Sequence, residues 1–328
     1  MKPKISIICP ILNVDKYIET TLKSVVVQTY QNWELLVMDG GSKDRTKEIV
    51  SSYAKKDQRI KLFSEPDEGP WHATDKGIDL AQGDFISIIG GQDGFLDREW
   101  LARCIKILNA DRSVSLVWGS SRGMREDGEF FPEKHITYSH LMGEDSSLDN
   151  IWFVLVKIFS VIKELLLSTN EKRKKILFKK IFSKTAILRV NFLTKRNFPN
   201  GKIPQKEDWF LYWLNTGLTF TDQGTCISKK VYLNCAPKYP MGSRLINHMT
   251  DFNFNFNSKG YLSYYIPTLA VFGREHRGNS GERVEEELFQ ESEKYTQKVL
   301  ALKKEIMNHH VEMVFVDRDA VQVSKRKF

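Results

Sequence analysis

Short β-forming runs alternate with amphipathic helical patterns through the first 120 residues, and this alternation constrains the fold more than any other feature. The apolar run KISIICP at 4–10 precedes a helical pattern at 15–28, and WELLVMD at 33–39 precedes another at 42–56. Further β-forming runs follow at 60–65, 83–91 and 113–119, separated by helical patterns at 71–82 and 97–110. Strands that alternate with helices form a parallel sheet covered on both faces, so the sequence predicts an α/β fold.

Polar residues follow the ends of the predicted strands. In sheets of this kind, ligands bind beyond the carboxyl ends of the strands. The residues found there are Pro10 and Asn13, Asp39, Asp67, and Gln92 with Asp93. No GxGxxG follows the first strand and no GxxxxGK[ST] occurs in the chain, so neither a dinucleotide fold nor a P-loop is indicated.

Composition indicates a soluble globular protein, with 41% hydrophobic and 27% charged residues among 328. The amino terminus does not resemble a signal peptide, so we expect a cytoplasmic protein. The four cysteines show no CxxC spacing, and reduced, buried thiols are expected in preference to disulfides or a zinc site.

Positive charge is concentrated in one segment. The net charge is +8, yet residues 151–205 contain thirteen Lys/Arg and only two acids, so the rest of the chain is net negative. Residues 151–168 are too short and too charged to span a bilayer. The segment 151–185 is typical of an amphipathic basic helix on an anionic membrane surface, and a helix pair with solvated lysines is the alternative. Its aromatic residues lie on the apolar face, so no nucleic acid is expected as a partner.

The rest of the chain is mixed in pattern. Residues 208–220 are rich in aromatic side chains, and residues 249–281 read as helix, turn and strand. A long, highly charged helix is predicted over 282–310, and the tail SKRKF is expected to be disordered.

Four ordered strings carry a resemblance to a known family: ISIICPILN, VMDGGSKDRT, SEPDEGPWHATDKGIDLAQGD and ISIIGGQDGF. Together they resemble the family 2-type inverting glycosyltransferases with the GT-A fold, strongly over residues 4–120 and more loosely over 215–281. The resemblance implies a Rossmann-like, mostly parallel sheet flanked by helices, with a helical basic insertion and a C-terminal helical extension.

The resemblance also implies a domain organisation. A nucleotide-sugar-binding core would span 1–140, followed by the amphipathic basic insertion at 141–215. The acceptor-side part of the GT-A domain would span 216–281, and a C-terminal helix and tail would span 282–328.

A nucleotide-diphosphate-sugar donor would lie across the strand ends, as the resemblance implies. Pro10 and Asn13 would shape the floor of the nucleotide pocket, and Asp39 would accept a hydrogen bond from the base or ribose. Asp67 would lie beside the nucleotide. Lys76 would support this site, unless it is an ordinary surface lysine of a helix.

Relatives usually end the fourth strand with two adjacent acids, whereas this chain has Gln92-Asp93. The resemblance implies that Asp93 holds Mg²⁺ or Mn²⁺ against the diphosphate, since carboxylates suit these hard cations. Gln92 would contribute a hydrogen bond to the sugar or ribose without charge. Arg274 and His276 stand where relatives place groups that touch the diphosphate or metal.

An inverting transfer needs a carboxylate on the acceptor side to take the hydroxyl proton. The resemblance offers two candidates. Asp208 follows the family's Glu-Asp-aromatic pattern in QKEDWFLYW, although a helix N-terminal acid favoured by the dipole is the alternative. Asp251, in HMTDFNFNF, preserves the family's order of elements better, and we favour it as the base, with 140–215 as an insertion.

The leading hypothesis is an active glycosyltransferase in polysaccharide biosynthesis. It would add a sugar to a lipid-linked or polysaccharide acceptor and would be peripheral at the inner face of the plasma membrane. The alternative is a non-catalytic nucleotide-sugar-binding relative. A nucleotidyltransferase is less favoured, because CPILNVDKY lacks that class's glycine-rich, Arg/Lys-bearing first loop.

Overall fold

A computed structural model of the protein describes residues 4–131, 136–137, 203–216, 219–220, 223–237, 248–274 and 285–328. The chain divides into two compact units, one formed by Met1–His135 with Gln205–Phe328 and the other by Ile136–Pro204. In the second unit the strand β7 is Ile136–Thr137. The predicted membrane-binding segment 151–185 lies outside the described residues.

The predicted alternation of strands and helices is confirmed in the first part of the larger unit. Its elements are β1 (Ile5–Ile11), α1 (Ile18–Val26), β2 (Trp33–Asp39), α2 (Thr46–Ala54), β3 (Ile60–Ser64), α3 (Pro70–Leu80), β4 (Phe85–Ile88), β5 (Gly94–Phe95), α4 (Trp100–Ala110) and β6 (Val114–Met124). The later elements are α5 (Lys206–Thr216), β8 (Cys226–Ser228), α6 (Lys229–Cys235), α7 (His248–Ser258), β9 (Leu262–Arg274), α8 (Glu285–His309), β10 (Glu312–Val316) and β11 (Gln322–Lys327).

The main sheet has the strand order β3-β2-β1-β4-β8-β6-β9-β5. Its first four strands are mutually parallel, and β6 is parallel to β9. The short strand β8 runs antiparallel to both of its neighbours, β4 and β6, so these two strands point the same way. The carboxyl ends of β1 to β4, β6 and β9 therefore meet at one edge of the sheet, here called the carboxyl edge.

Helices α1 and α4 cover one face of this sheet with a continuous apolar core. Ile18 and Leu22 of α1 and Trp100 and Leu101 of α4 are fully buried there. The four cysteines are buried and not joined in disulfides, which confirms the predicted thiols.

Helix α3 packs on the first strands at very short range. A Cβ atom at Gly77 would lie 2.6 Å from Cγ2 of Ile8, closer than real contacts allow. Glycine at this position lets the helix backbone approach β1 and fixes where the preceding loop leaves the sheet.

Helix α5 belongs to the larger unit and not to the insertion that was predicted for 141–215. The reason is its aromatic face. The Trp209 ring lies 5.1 Å from the Trp118 ring of β6, and its Nε1 donates to Oδ1 of Asn257 at 3.1 Å. Burial of these large rings joins the helix to β6 and α7.

The prediction of a disordered tail is wrong. Residues of SKRKF form β11, which pairs antiparallel with β10. Phe315 of β10 is buried, and the Nε of Arg318 in the connecting turn donates to the carbonyl of Val114 at 2.8 Å. The hairpin thus closes against the start of β6, at the edge of the sheet opposite the carboxyl edge.

Within the described part of the chain, no helix is long and apolar enough to cross a membrane.

A buried carboxylate, Glu34, ties the amino ends of the first strands together. Lys61 and Lys4 approach it at 2.9 and 3.1 Å, and the Ser6 hydroxyl donates to it at 2.7 Å. The Gln82 N–H donates at 2.8 Å. Burial alone would raise the pKa of Glu34, but these hydrogen bonds outweigh it and lower the pKa from 4.5 to about 2.

We predict that Glu34→Gln lowers the free energy of unfolding by about 3 kcal/mol at pH 7, because a neutral amide loses the charge-assisted hydrogen bonds that lower the pKa of the buried carboxylate. Since the folded-state pKa is depressed, wild-type stability should fall as pH decreases from about 4.5 towards 2. The variant should lose this part of the pH dependence. Urea unfolding between pH 3 and 7 measures both effects. The control Glu48→Gln, which removes an exposed pair with Arg45, should change stability by about 0.5 kcal/mol or less. An equally small change for Glu34→Gln would contradict the prediction.

Candidate active site

The loops after β1 and β2 are joined by reciprocal hydrogen bonds. The Gly40 N–H donates to the carbonyl of Ile11 at 3.0 Å. The Asn13 N–H donates to Oγ of Ser42, and Oδ1 of Asn13 accepts from the Lys43 N–H, both at 2.8 Å. Asn13 has a φ of 51°, in the left-handed region that asparagine tolerates better than most residues. These two loops form one floor at the carboxyl edge.

Pro10 lies within β1 and not in the loop. It pairs in register with Met38 of β2, whereas the pairing of β1 with β4 ends at Ile8. The missing N–H of Pro10 therefore falls where the ladder to β4 has ended, and it costs no sheet hydrogen bond there.

Asp39, the last residue of β2, is 2% exposed and holds its surroundings through both carboxylate oxygens. Oδ1 accepts from the Ser42 N–H at 3.1 Å and from the Ser42 hydroxyl. Oδ2 accepts from the Ser64 hydroxyl at 2.6 Å. The carboxylate thus joins the ends of β2 and β3 and orients the loop that carries Ser42.

Asp67 lies directly against this floor. A Cβ atom at Gly40 would approach its Oδ2 to 2.6 Å, and the Gly69 N–H donates to its Oδ1 at 2.8 Å. Lys76 of α3 reaches back to the same turn, where its Nζ lies 3.1 Å from the carbonyl of Pro66 and 2.9 Å from Glu65. Lys76 therefore holds the turn that presents Asp67, as expected if it supports the site.

The next ionisable group on α3 is Asp75. Burial and the neighbouring Asp79 carboxylate raise the pKa of Asp75 to about 6, against the opposing effect of His72. Helix α3 therefore carries a carboxyl group that is partly protonated only one pH unit below neutrality.

Asp93 lies in the turn after β4 and is 4% exposed. Its Oδ1 accepts from the backbone N–H of Arg274, the last residue of β9, at 2.9 Å. The Nε of Arg274 lies 3.4 Å from the carbonyl of Gln92. The structure therefore brings together Gln92, Asp93 and Arg274 from the two halves of the sheet. His276 lies outside the described residues.

Three further positions hold the surroundings of Asp93. A Cβ atom at Gly90 would lie 2.5 Å from Oδ2 of Asp93, so glycine makes room for the carboxylate. The Gly90 N–H donates to Oε1 of Gln223 at 3.0 Å. The Thr21 hydroxyl of α1 donates to the carbonyl of Asp93 at 2.5 Å. Thr21 is distant in sequence and fits no short motif, so sequence reasoning missed it and no local signal identifies it.

An open pocket of about 770 Å³ adjoins this corner. Its walls come from the start of α1, the turn after β6 and the end of β9. The lining residues are Lys16, Tyr17, Thr20, Arg125, Glu126, Asp127, Gly128 and Arg274.

The donor set at Asp93 suits a hard divalent cation that is shared with a phosphate-bearing ligand. No cluster of three or more His, Cys, Asp or Glu side chains that could enclose a metal occurs among the described residues. Mg²⁺ is usually held by one or two carboxylates together with substrate phosphates and waters, and not by an all-protein cage. A single carboxylate that backbone hydrogen bonds hold in place fits that pattern.

The two candidate bases occupy different parts of the molecule. Asp208, at the start of α5, pairs with Arg326 of β11 at 2.5 Å, and its neighbour Lys206 pairs with Asp111, just before β6. The 11 residues of β6 separate this point from the carboxyl edge by roughly 30 Å. This position does not suit Asp208 as the base, because it lies at the opposite edge of the sheet.

Asp251 lies in the first turn of α7, where Nζ of Lys298 approaches its Oδ1 at 2.6 Å. The same helix is tied to the segment that enters the site. Oδ1 of Asn253 accepts from the Phe220 N–H at 3.2 Å, three residues before Gln223. Helix α7, which carries Asp251, therefore contacts the segment that leads to Gln223 at the carboxyl edge.

The fold and the carboxylates at its carboxyl edge define a GT-A-type α/β domain. A crystal structure of S. aureus TarS 1-349 in complex with UDP-GlcNAc matches with a TM-score of 0.54 at 14% identity, covering 93% of this chain and 67% of that one. The mannosyltransferase PcManGT from Pyrobaculum calidifontis, in complex with GDP-Man and Mn²⁺, matches with a TM-score of 0.51 at 16% identity, covering 86% of this chain and 60% of that one.

The family model described as glycosyl transferase family 2 matches residues 6–168, just under half of the chain, so this part of the chain is similar to the family 2 glycosyltransferases. An uncharacterized glycosyltransferase of Haemophilus influenzae is 41% identical over 92 residues, which are 28% of this chain and 37% of that protein. A PGL/p-HBAD biosynthesis glycosyltransferase of Mycobacterium bovis is 33% identical over 118 residues, which are 36% of this chain and 46% of that protein. The matches thus span less than half the length of either relative.

Proposed function

We propose that the protein transfers a sugar, with inversion, from a nucleotide-diphosphate-sugar donor to a hydroxyl of a lipid-linked or polysaccharide acceptor. The observation that carries this proposal is that Asp39, Asp67 and Asp93, at or just after the ends of β2, β3 and β4, lie at one edge of the sheet. The solved relatives with this fold hold UDP-GlcNAc, or GDP-Man and Mn²⁺, which supports a donor of the same class here.

The nucleotide would lie over the joined loops after β1, β2 and β3. Asn13 and Pro10 would form its floor, and Asp39 would accept a hydrogen bond from the base or ribose. A bound nucleotide would have to share the Asp39 carboxylate with Ser42 and Ser64, which already fix its orientation. Asp67, held by Lys76 through its turn, would flank the nucleotide on the far side.

The diphosphate would lie towards the end of β4. Asp93 would hold Mg²⁺ or Mn²⁺ there, and Gln92 would offer an uncharged hydrogen bond to the ribose or sugar. A bound divalent cation would offset the negative charge that develops on the diphosphate as it leaves. Arg274 adds positive charge at the same corner without adding a ligand.

Asp251 would act as the general base. Its carboxylate would take the proton of the acceptor hydroxyl as that oxygen forms a bond to the anomeric carbon and the bond to the diphosphate breaks. The proton ends on Asp251 and the bonding electron pair leaves with the diphosphate. The Nζ of Lys298 lies 2.6 Å from Oδ1 of Asp251 and holds the carboxylate in place.

Donor hydrolysis or transfer tests the proposal directly. We expect the wild-type protein to turn over a UDP- or GDP-sugar with Mn²⁺, and EDTA to abolish this turnover. Asp93→Ala should reduce turnover by about 100-fold, because one transition-state charge contact of several kcal/mol is lost. Glu48→Ala, at an exposed site on α2, serves as the control. Turnover by Asp93→Ala at the wild-type rate would show that Asp93 holds no catalytic metal.

One observation favours a second candidate function. The turn after β4 carries a single acid beside Gln92, which would suit a non-catalytic nucleotide-sugar-binding relative. Calorimetric binding of UDP or GDP without turnover of any sugar donor in the same metal series would establish this alternative.

The identity of the base gives a further prediction. Asp251→Asn should lower transfer by about 100-fold or more, because proton acceptance is lost, while donor binding stays unchanged. Asp208→Asn removes the same charge from another helix N-terminal turn and should retain transfer. Initial rates and calorimetric donor binding for the two variants separate the two roles. Loss of transfer in Asp208→Asn with retention in Asp251→Asn would reverse the assignment.

Docking of the protein on the inner face of the plasma membrane is a proposal that rests on the sequence of 151–185. A basic segment interleaved with apolar side chains gains both apolar burial and attraction to anionic lipid. We expect co-sedimentation with vesicles that contain 30% phosphatidylserine but not with pure phosphatidylcholine vesicles. Substituting Gln for the four basic residues at 172–175 should abolish it, and unchanged binding would rule out this segment as the dock.

A further inference from the structure

Arg274 makes contacts with several separate segments around Asp93, the proposed metal ligand. Its Nε reaches the carbonyl of Gln92 at 3.4 Å, and its Nη1 donates to the carbonyls of Arg125 and Glu126, both at 3.2 Å. The guanidinium also lies 5.1 Å from the ring of Tyr17. These contacts join the end of β9 to the turn after β4, the turn after β6 and the start of α1.

The chemistry of this arrangement requires arginine. Arg274 is 7% exposed, and its guanidinium donates to three backbone carbonyls that belong to two different turns. A guanidinium presents five donors in a rigid plane, so one side chain can bridge two turns while its face lies on an aromatic ring. A lysine ammonium is a compact point charge that cannot hold the same carbonyls in a fixed plane.

The partner ring is itself held in place. Tyr17 is buried, and its hydroxyl donates to Oε1 of Glu126 at 3.0 Å. The turn after β6 is thus fixed twice, once through its carbonyls by Arg274 and once through the Glu126 side chain by Tyr17. The negative face of the aromatic ring attracts the guanidinium, so this contact adds a third anchor.

The main chain of the same residue reaches the metal ligand. The Arg274 N–H donates to Oδ1 of Asp93 at 2.9 Å, while its side chain binds the residue before Asp93 in sequence. The orientation of the Asp93 carboxylate therefore depends on where Arg274 lies. Both the pairing of Arg274 with Met124 of β6 and the guanidinium contacts hold that position.

We propose that Arg274 is a positioning residue for the proposed transfer. It orients the single Asp93 carboxylate towards the divalent cation by anchoring the end of β9 to the turns after β4 and β6. This inference rests on the proposed function. It differs from the role that the family resemblance implies for Arg274, which is direct contact with the diphosphate.

The two roles of Arg274 predict different binding behaviour. As a direct diphosphate ligand, it would contribute through charge, so removing it would weaken nucleotide binding without metal, and Lys would restore that binding. As a positioning residue, it would leave metal-free binding unchanged and would control only the gain in affinity that Mn²⁺ provides. Lys would not restore this gain, since it cannot bridge the carbonyls.

The experiment titrates UDP and GDP into the full chain by calorimetry, with and without Mn²⁺, for wild type, Arg274→Lys and Arg274→Gln. Without metal, we expect both variants to bind UDP and GDP with affinities within about twofold of wild type. The factor by which Mn²⁺ raises nucleotide affinity should be at least tenfold smaller in both variants than in wild type. The concentration of Mn²⁺ for half-maximal donor turnover should rise in parallel. Arg112→Ala removes an exposed guanidinium near the start of β6, at the opposite edge of the sheet, and it should behave like wild type.

A double-mutant cycle with Asp93→Asn completes the test. If Arg274 acts through Asp93, Arg274→Lys should have no further effect on the Mn²⁺ response in the Asp93→Asn background. Additive losses, or a loss of metal-free nucleotide binding that Lys restores, would overturn the positioning role. Thermal unfolding verifies that both Arg274 variants are folded, and Arg274→Lys, which retains the buried stem and charge, keeps the test usable if Arg274→Gln is unstable. If wild type shows neither nucleotide binding nor turnover, the proposed function fails. If wild type responds to Mn²⁺ and the Arg274 variants respond equally, only the positioning role fails.

Discussion

The arrangement of the candidate site depends on the register of the parallel ladder around β1. Pairing of β1 with β2 runs from Ile5 to Ile11 and places Ile11 beside Asp39, whereas pairing with β4 ends at Ile8 beside Ile88. The chain after Ile88 is therefore released three residues earlier than the chain after Asp39. This offset opens the space in which Asp93 and the β1 loop lie at one edge. A one-residue slip in the pairing would turn every side chain of β1 to the other face.

The acids at this edge serve the fold as well as the proposed chemistry. Asp39 accepts hydrogen bonds through both oxygens, and Asp93 accepts one from a main-chain N–H that is 181 residues away in sequence. A buried carboxylate with such donors has a fixed direction, which suits a group that must meet a charged ligand. Removing one of these acids would therefore disturb stability and binding together, so each site variant has to be read against a measured unfolding transition.

The sequence predicts the fold class and the first half of the site because both depend on local patterns. Periodic apolar runs identify the strands and helices, and the carboxyl ends of parallel strands must meet at one edge, so Asp39, Asp67 and Asp93 can be assigned together. Contacts between distant segments leave no such pattern. Gln223 and Thr21 reach the turn around Asp93 from another strand segment and from a helix. The β10–β11 hairpin, read from sequence as a tail, forms because Phe315 and Arg318 find partners that only the folded core provides. Asp208 looks like the family's base motif, but its position is set by the burial of the neighbouring Trp209 ring.

The long sequence separation between Asp93 and its main-chain donor, Arg274, has a consequence for the order in which the site can form during synthesis. The joined loops after β1, β2 and β3 come from the first 70 residues and can close as soon as their strands pair. The Asp93 carboxylate can be fixed only after β9 has been synthesised and paired, because its main-chain donor is Arg274. Contacts of such long sequence separation form late, since the loop-closure entropy must be overcome before they stabilise anything. A nascent chain would thus hold an assembled nucleotide floor well before the proposed metal ligand is fixed, and the two halves of the site would be completed at different times.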